Sequence, residues 1–216
     1  MSEDISIYAD ADKMICLDHT RLYYRNLRIT ASLIDVLPTQ SKDTVTIVVT
    51  ENQNVLAGVN ADHFNFLIII VPENVVMPLN TNLYNAIIYR YKQNESYQVA
   101  IEEILVSLVS FIFDRDYSLD FLELKKALSF KQGEYLNIEY SSIKMEVLDE
   151  IEFDRSQYNT SFIIHMNLKS LKFEKMNEVM SIVGEKLVDE HWGDILYEVK
   201  DCGDIFPEEV FILYAI

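Results

Sequence analysis

The sequence predicts an α/β fold that turns to α+β in its C-terminal half. Three observations carry this. Thr44–Thr50 (TVTIVVT) is a β-branched run that reads as a strand. Phe66–Val71 is apolar at every position and closed by Pro72, as expected of a parallel strand covered on both faces. From Glu95 onward, Ile101, Leu105, Leu108, Val109 and Ile112 recur with the period of an α-helix, with Glu102 and Glu103 on the opposite side.

The remaining elements follow from the same periodicities. Ile5 and Ile7 alternate with polar residues, which predicts a short strand. Tyr23, Leu27, Ala31 and Ile34 give a helical stripe ending near Pro38. Thr81–Lys92 reads as a helix ahead of the one from Glu95, and Phe121–Phe130 as the next. Short strands are expected at Tyr135–Glu139 and Ile143–Leu148. Ser161–Leu168 alternates as a strand. Phe173, Met176, Met180, Val183 and Leu187 form a helical stripe, and Ile195–Lys200 and Val210–Ile216 are two further strands joined across Asp201-Cys202-Gly203-Asp204.

A chain of 216 residues can bury roughly 70% of the surface its unfolded form exposes, so it needs no disulfide or metal staple. Half of it is hydrophobic, and glycine (5) and proline (4) are scarce, a globular composition. The net charge is −17, with 35 acids against 18 bases and no basic stripe, which argues against nucleic-acid binding and against anionic membrane surfaces. The apolar run at Phe66–Val71 is too short for a membrane span, and Met1–Asp12 has no apolar signal core, so a cytoplasmic protein without direct membrane insertion is expected. Cys16 and Cys202 then read as reduced thiols.

The composition is poor in catalytic equipment. No two of Gly58, Gly133, Gly184, Gly193 and Gly203 lie closer than nine residues, whereas a backbone cradle for phosphate needs closely spaced glycines. His19, His63, His165 and His191 are each at least 26 positions from the next, so none has metal-ligand spacing. The expectation is a protein with no catalytic residues of its own, no cofactor and no metal.

The stretch that stands out is an acidic corner. Asp114, Asp116, Asp120 and Glu123 fall just before a new helical start. One reading is structural: Asp120 as N-cap and Glu123 closing a capping box, both favoured by the helix dipole. A second is calcium binding. With Glu123 at the twelfth position of an EF-hand loop, Ile112 would be first and Tyr117 sixth. With Asp114 first, Leu119 would be sixth and Lys125 twelfth. Neither register supplies the required acid and glycine.

A third reading comes from order and spacing. Thr44–Thr50, then Leu67–Asn74 (LIIIVPEN), then the helix from Glu95 to Phe113, then Ser118–Glu123 (SLDFLE) resemble the tubulin/FtsZ superfamily, FtsZ in particular. There a strand ends in I-P-N-D, a core helix joins two domains, and a catalytic loop reads N-x-D-F-x-D. FIIHMNLKSLKFEKMNEVM resembles the family's C-terminal strand and helix, and Asp194–Ile216 its closing strand pair. The resemblance spans residues 44–216.

The family's G-G-G-T-G-T-G loop for GTP has no counterpart here. The resemblance therefore implies a truncated N-terminal α/β lobe (1–94), a central core helix and corner (95–117), and an FtsZ/tubulin C-terminal-like domain (118–216). It also implies a partner: an FtsZ/tubulin-like polymer contacted by Ser118, Asp120 and Glu123, with stimulation of that partner's GTPase in trans open to it. The alternatives are a diverged scaffold that binds an unrelated protein or forms a homo-oligomer, and, more weakly, a calcium-responsive module.

Overall fold

A computed structural model describes residues 3–13, 27–78, 83, 86–105, 136–144, 147, 150, 162–168, 172–187, 195–201 and 209–215. They form two compact units. The first holds the described residues up to Leu105 together with 136–138, and the second holds those from Glu139 onward.

The first unit is built on parallel strands β1 (Glu3–Ala9), β2 (Leu27–Leu33), β3 (Val45–Val49), β4 (Leu67–Pro72), β5 (Ile87–Tyr91) and the start of β6 (Leu136–Lys144). Their order is β2-β1-β3-β4-β5-β6, and every pairing among them is parallel. In this order the winding reverses between β1 and β3, because β2 lies to one side of β1 and all later strands to the other. Parallel neighbours require crossover connections, and here these include α1 (Gln53–Gly58) and α2 (Tyr97–Ile104). Each helix begins on a polar cap. The side chain of Asn52 accepts from Asn54 N–H at 2.9 Å, and Ser96 Oγ accepts from Val99 N–H at 3.2 Å.

The core lies on both faces of this sheet, as the continuous apolar runs predict. Register aligns Val48, Ile69 and Ile88 in one row and Ile7, Ile47, Ile68 and Ile87 in a row of the opposite pleat, all fully buried. The first row joins Leu56 of α1 with Phe64, Met77 and Leu83 in one apolar cluster. α2 packs against β4 and buries Ala100, Ile101 and Ile104.

Two helical readings are corrected. Leu27–Leu33 is a strand, because its apolar residues Leu27, Ile29, Ala31 and Leu33 also fit a period of two, and pairing with β1 selects that period. Ser6 and Thr30 share a hydrogen bond of 3.1 Å across this pair. Ile87–Tyr91 is likewise a strand rather than the end of a helix from Thr81. Its β-branched and aromatic residues favour a pleated surface, and the free edge of β4 was available to it.

In the second unit the strand order is β6-β9-β7-β8, with β7 (Phe162–Leu168), β8 (Ile195–Asp201), β9 (Glu209–Ala215) and α3 (Phe173–Leu187). The predicted succession strand, helix, strand, strand is present. β8 and β9 follow each other in sequence but are not neighbours, since β7 lies between them, parallel to β8 and antiparallel to β9. Of the two short strands expected at 135–139 and 143–148, the described residues 136–144 form a single strand, β6, and Val147 lies outside it. The apolar stripe of α3 is centred on Val179 and Val183, both fully buried, while Phe173 is 72% exposed. Helical side chains lean toward the N-terminus, so one at the first position projects past the packed turns.

Candidate functional site

Open parallel sheets collect ligands beyond the carboxyl ends of their strands, at the point where the winding reverses. In the first unit that point is the end of β1 beside the end of β3. The two ends are clasped by Asp10. Its carboxylate accepts from the Thr50 hydroxyl at 2.8 and 2.9 Å and from Glu51 N–H at 3.1 Å, and Asp10 N–H donates to the Val49 carbonyl at 3.2 Å. Thr50 Oγ1 in turn accepts from Asn52 N–H at 3.0 Å, which carries the clasp to the start of α1.

Beside the clasp opens a crevice of about 350 Å³. Asp12 and Lys13 enter it from the turn after β1, Glu51 from the end of β3, Asn74 from beyond β4, Tyr91 from the end of β5, and Glu95 and Tyr97 from the start of α2. Lys13 is only 7% exposed, and its ammonium is held by Glu51 at 2.9 Å and Asp12 at 3.3 Å. Burial pulls the Lys13 pKa down, but the hydrogen bonds and charges of these two carboxylates outweigh it and leave the group above its usual value of 10.5. Tyr91 is pushed above its usual 10.0 chiefly by burial, with the Lys13 ammonium acting in the opposite sense and Glu51 and Asp12 adding to the rise.

Both shifts favour the protonated form in the folded state. Their stabilisation is complete below the unfolded values near 10.0 and 10.5 and is lost as pH rises through the raised folded values. The expected result is a fall in unfolding free energy above about pH 10 that is shallower in Lys13→Met and Tyr91→Phe than in the unaltered chain. Urea midpoints measured from about pH 8 to about pH 11 would show this, and identical slopes in all three proteins would refute it.

No protein-family model matches the sequence, and no curated protein matches it. Solved structures do. FtsZ from M. jannaschii, in a structure described as an empty dimer, is similar with a TM-score of 0.58 at 12% identity, covering 100% of this chain and 89% of that one. A tryptophan-to-tyrosine mutant of M. jannaschii FtsZ gives 0.50 at 11% identity, covering 100% of this chain and 91% of that one. The chain has a tubulin/FtsZ-like fold.

Within this FtsZ-like fold the predicted site residues Ser118, Asp120 and Glu123, with the rest of the acidic corner, lie outside the described residues, as do Cys16 and Cys202. Of the predicted core helix, α2 covers the first part, with Ile101 and Leu105 fully buried. His63 is structural: Nδ1 lies 3.0 Å from the Thr39 carbonyl and Nε2 3.3 Å from the Asn60 amide nitrogen. Among the described residues no group of three histidine, cysteine, aspartate or glutamate side chains could hold a metal ion, and no helix is long and apolar enough to cross a membrane.

The crevice itself escaped the sequence reading. Its one advance signal was Asp10-Ala-Asp-Lys directly after an alternating strand. Nothing in the order of residues announces that Glu51, Tyr91 and Glu95 would meet it.

Proposed function

We propose that this chain is a non-catalytic interaction protein that binds or caps an FtsZ/tubulin-like polymer through Ser118, Asp120 and Glu123. The observation that carries the reading is the charge of the crevice at the winding reversal. Three carboxylates (Asp12, Glu51, Glu95) line it against one ammonium, and that ammonium is already ion-paired. Two like charges about 4 Å apart repel by about 4 kcal/mol at the effective dielectric of a protein surface, so each phosphate oxygen placed here meets an opposing field. Closely spaced glycines, which would supply compensating backbone N–H groups, are absent from the sequence.

An FtsZ-like subunit that cannot take up nucleotide can still present the opposite end, where an acidic loop meets a neighbour's nucleotide. Docking there would leave no competent site for the next subunit, which is the behaviour of a cap. The same acids could orient water in the neighbour's site, stimulating its GTPase without catalysis by this chain.

The test is co-sedimentation with an FtsZ/tubulin-like polymer identified by affinity capture from the protein's own cells. Asp120→Ala combined with Glu123→Ala is expected to lower polymer binding at least about tenfold, which corresponds to about 1.4 kcal/mol, with folding retained. GTP titration of the isolated chain is expected to be flat. Undiminished polymer binding by the double variant would sink the proposal. Capture of an unrelated protein would favour a diverged scaffold, a reading to which the 12% identity also lends support.

A further inference from the structure

We propose that the crevice at the carboxyl edge of the first unit's sheet is a binding site for a small organic cation carrying an ammonium or guanidinium group. Four observations converge on it. The cavity, at about 350 Å³, falls in the size range of small-molecule sites, roughly 300–1,000 Å³, and sits where this class of sheet collects ligands. Its lining carries an excess of two negative charges, from Asp12, Glu51 and Glu95 against Lys13.

The third observation is independent of the acids. Tyr91 is 94% buried by its 6% exposure, lines the cavity, and feels the charges of Lys13, Glu51 and Asp12, yet its hydroxyl makes no hydrogen bond with any described residue. That hydroxyl is reached from the crevice, since among the described residues it is Thr46 Oγ1 that is buried without a partner, and a ligand N–H can take the place of the water it meets there. Burial keeps this phenol protonated well into the alkaline range, so it remains a neutral donor and acceptor rather than a further anion.

The fourth is the state of Glu95. Its carboxylate accepts from Lys92 N–H at 3.2 Å through Oε2, which leaves Oε1 for a ligand cation. Tyr97 lines the same cavity and adds a second aromatic ring, a surface to which cations are attracted. A bare metal ion does not suit the arrangement, because no three ligating side chains converge among the described residues. A cation that reaches the acids through N–H groups, with an apolar stem against the tyrosines, does. The inference is separate from the polymer contact and requires none of its residues.

The experiment is calorimetric titration of the full chain at low salt with agmatine, which carries both an ammonium and a guanidinium group, and with inorganic phosphate. Saturable one-to-one binding of agmatine and none of phosphate is expected. Glu95→Gln and Tyr91→Phe should each weaken agmatine binding by about tenfold or more, because each removes a partner to a charged group. Asp35→Asn, the same change of charge outside the crevice, should leave it unaltered.

Unsaturable binding would overturn the proposal, as would equal weakening in all three variants, which would mark diffuse attraction to a chain of net charge −17. Tighter binding to a short arginine peptide than to agmatine would overturn the small-molecule assignment. Should a variant fail to fold, the unaltered chain decides. Agmatine must raise its melting temperature above that in sodium chloride of equal ionic strength, and no rise refutes the site.

Discussion

Ile69→Ala is expected to lower the stability of the first unit by about 3 kcal/mol, within the roughly 2–5 kcal/mol of such core truncations. Ile69 is the middle of the row Val48–Ile69–Ile88 and has no exposed surface. Its side chain enters the cluster formed with Leu56, Phe64, Met77 and Leu83. Neighbours held by strand pairing on both sides cannot move inward to fill the space, so the lost transfer energy is joined by the cost of a cavity.

The contrast is Val76→Ala. Val76 is 77% exposed, and its truncation should change stability by no more than about 0.5 kcal/mol. Urea unfolding followed by circular dichroism separates the two. A loss below about 1 kcal/mol for Ile69→Ala would mean that this face of the sheet is far less tightly packed than its burial indicates.

The same burial explains which parts of the fold could be read in advance. A residue such as Ile69 is apolar because its face is covered, and Ile68 and Ile70 are apolar because the other face is covered too. The uninterrupted run therefore carried both the strand and its parallel setting. Leu27–Leu33 and Ile87–Tyr91 were misread because each admits two periods over a short window. What decided between them was a partner strand distant in sequence, β1 in one case and β4 in the other. Local propensity cannot register a hydrogen-bonding edge that the chain supplies elsewhere. The exposed Phe173 belongs to the same kind of error, since periodicity assigns a face but not where along a helix the packing starts.

The crevice was illegible for a related reason. It is assembled from the ends of β1, β3, β4 and β5 and the start of α2, each contributing one to three residues. The likeness to FtsZ was legible because it rests on the order of several elements rather than on one motif, and the solved structures bear it out at the level of the fold. Order of elements places a crevice but leaves its chemistry to individual side chains. At those positions this chain carries carboxylates and tyrosines.

In the clasp beside the crevice Asp10 should matter most for stability, and Asp10→Ala is expected to cost about 2–3 kcal/mol, the scale of losing hydrogen bonds to a charged acceptor. The truncation leaves two donors behind, the Thr50 hydroxyl and Glu51 N–H, and Thr50 is fully buried. An unpartnered buried donor bears its full desolvation penalty, whereas one reaching water recovers most of it, so the Thr50 hydroxyl should dominate the loss. The damage also propagates. Thr50 Oγ1 receives Asn52 N–H at the start of α1, and Glu51, whose backbone Asp10 holds, is the nearer carboxylate to Lys13.

Asp10→Asn offers an internal control. Its amide oxygen can still accept from Thr50, but the amide nitrogen cannot accept from Glu51 N–H, so a cost between that of alanine and zero is expected. Thr50→Val combined with Asp10→Ala removes the orphaned hydroxyl and should recover part of the loss, because the penalty lies in the unsatisfied group and not only in the missing bond. Urea unfolding of the four proteins decides the matter. If Asp10→Ala alone proves neutral, the clasp between β1 and β3 contributes nothing that strand pairing does not already provide, and the crevice beside it must be held by the Lys13 ion pairs instead.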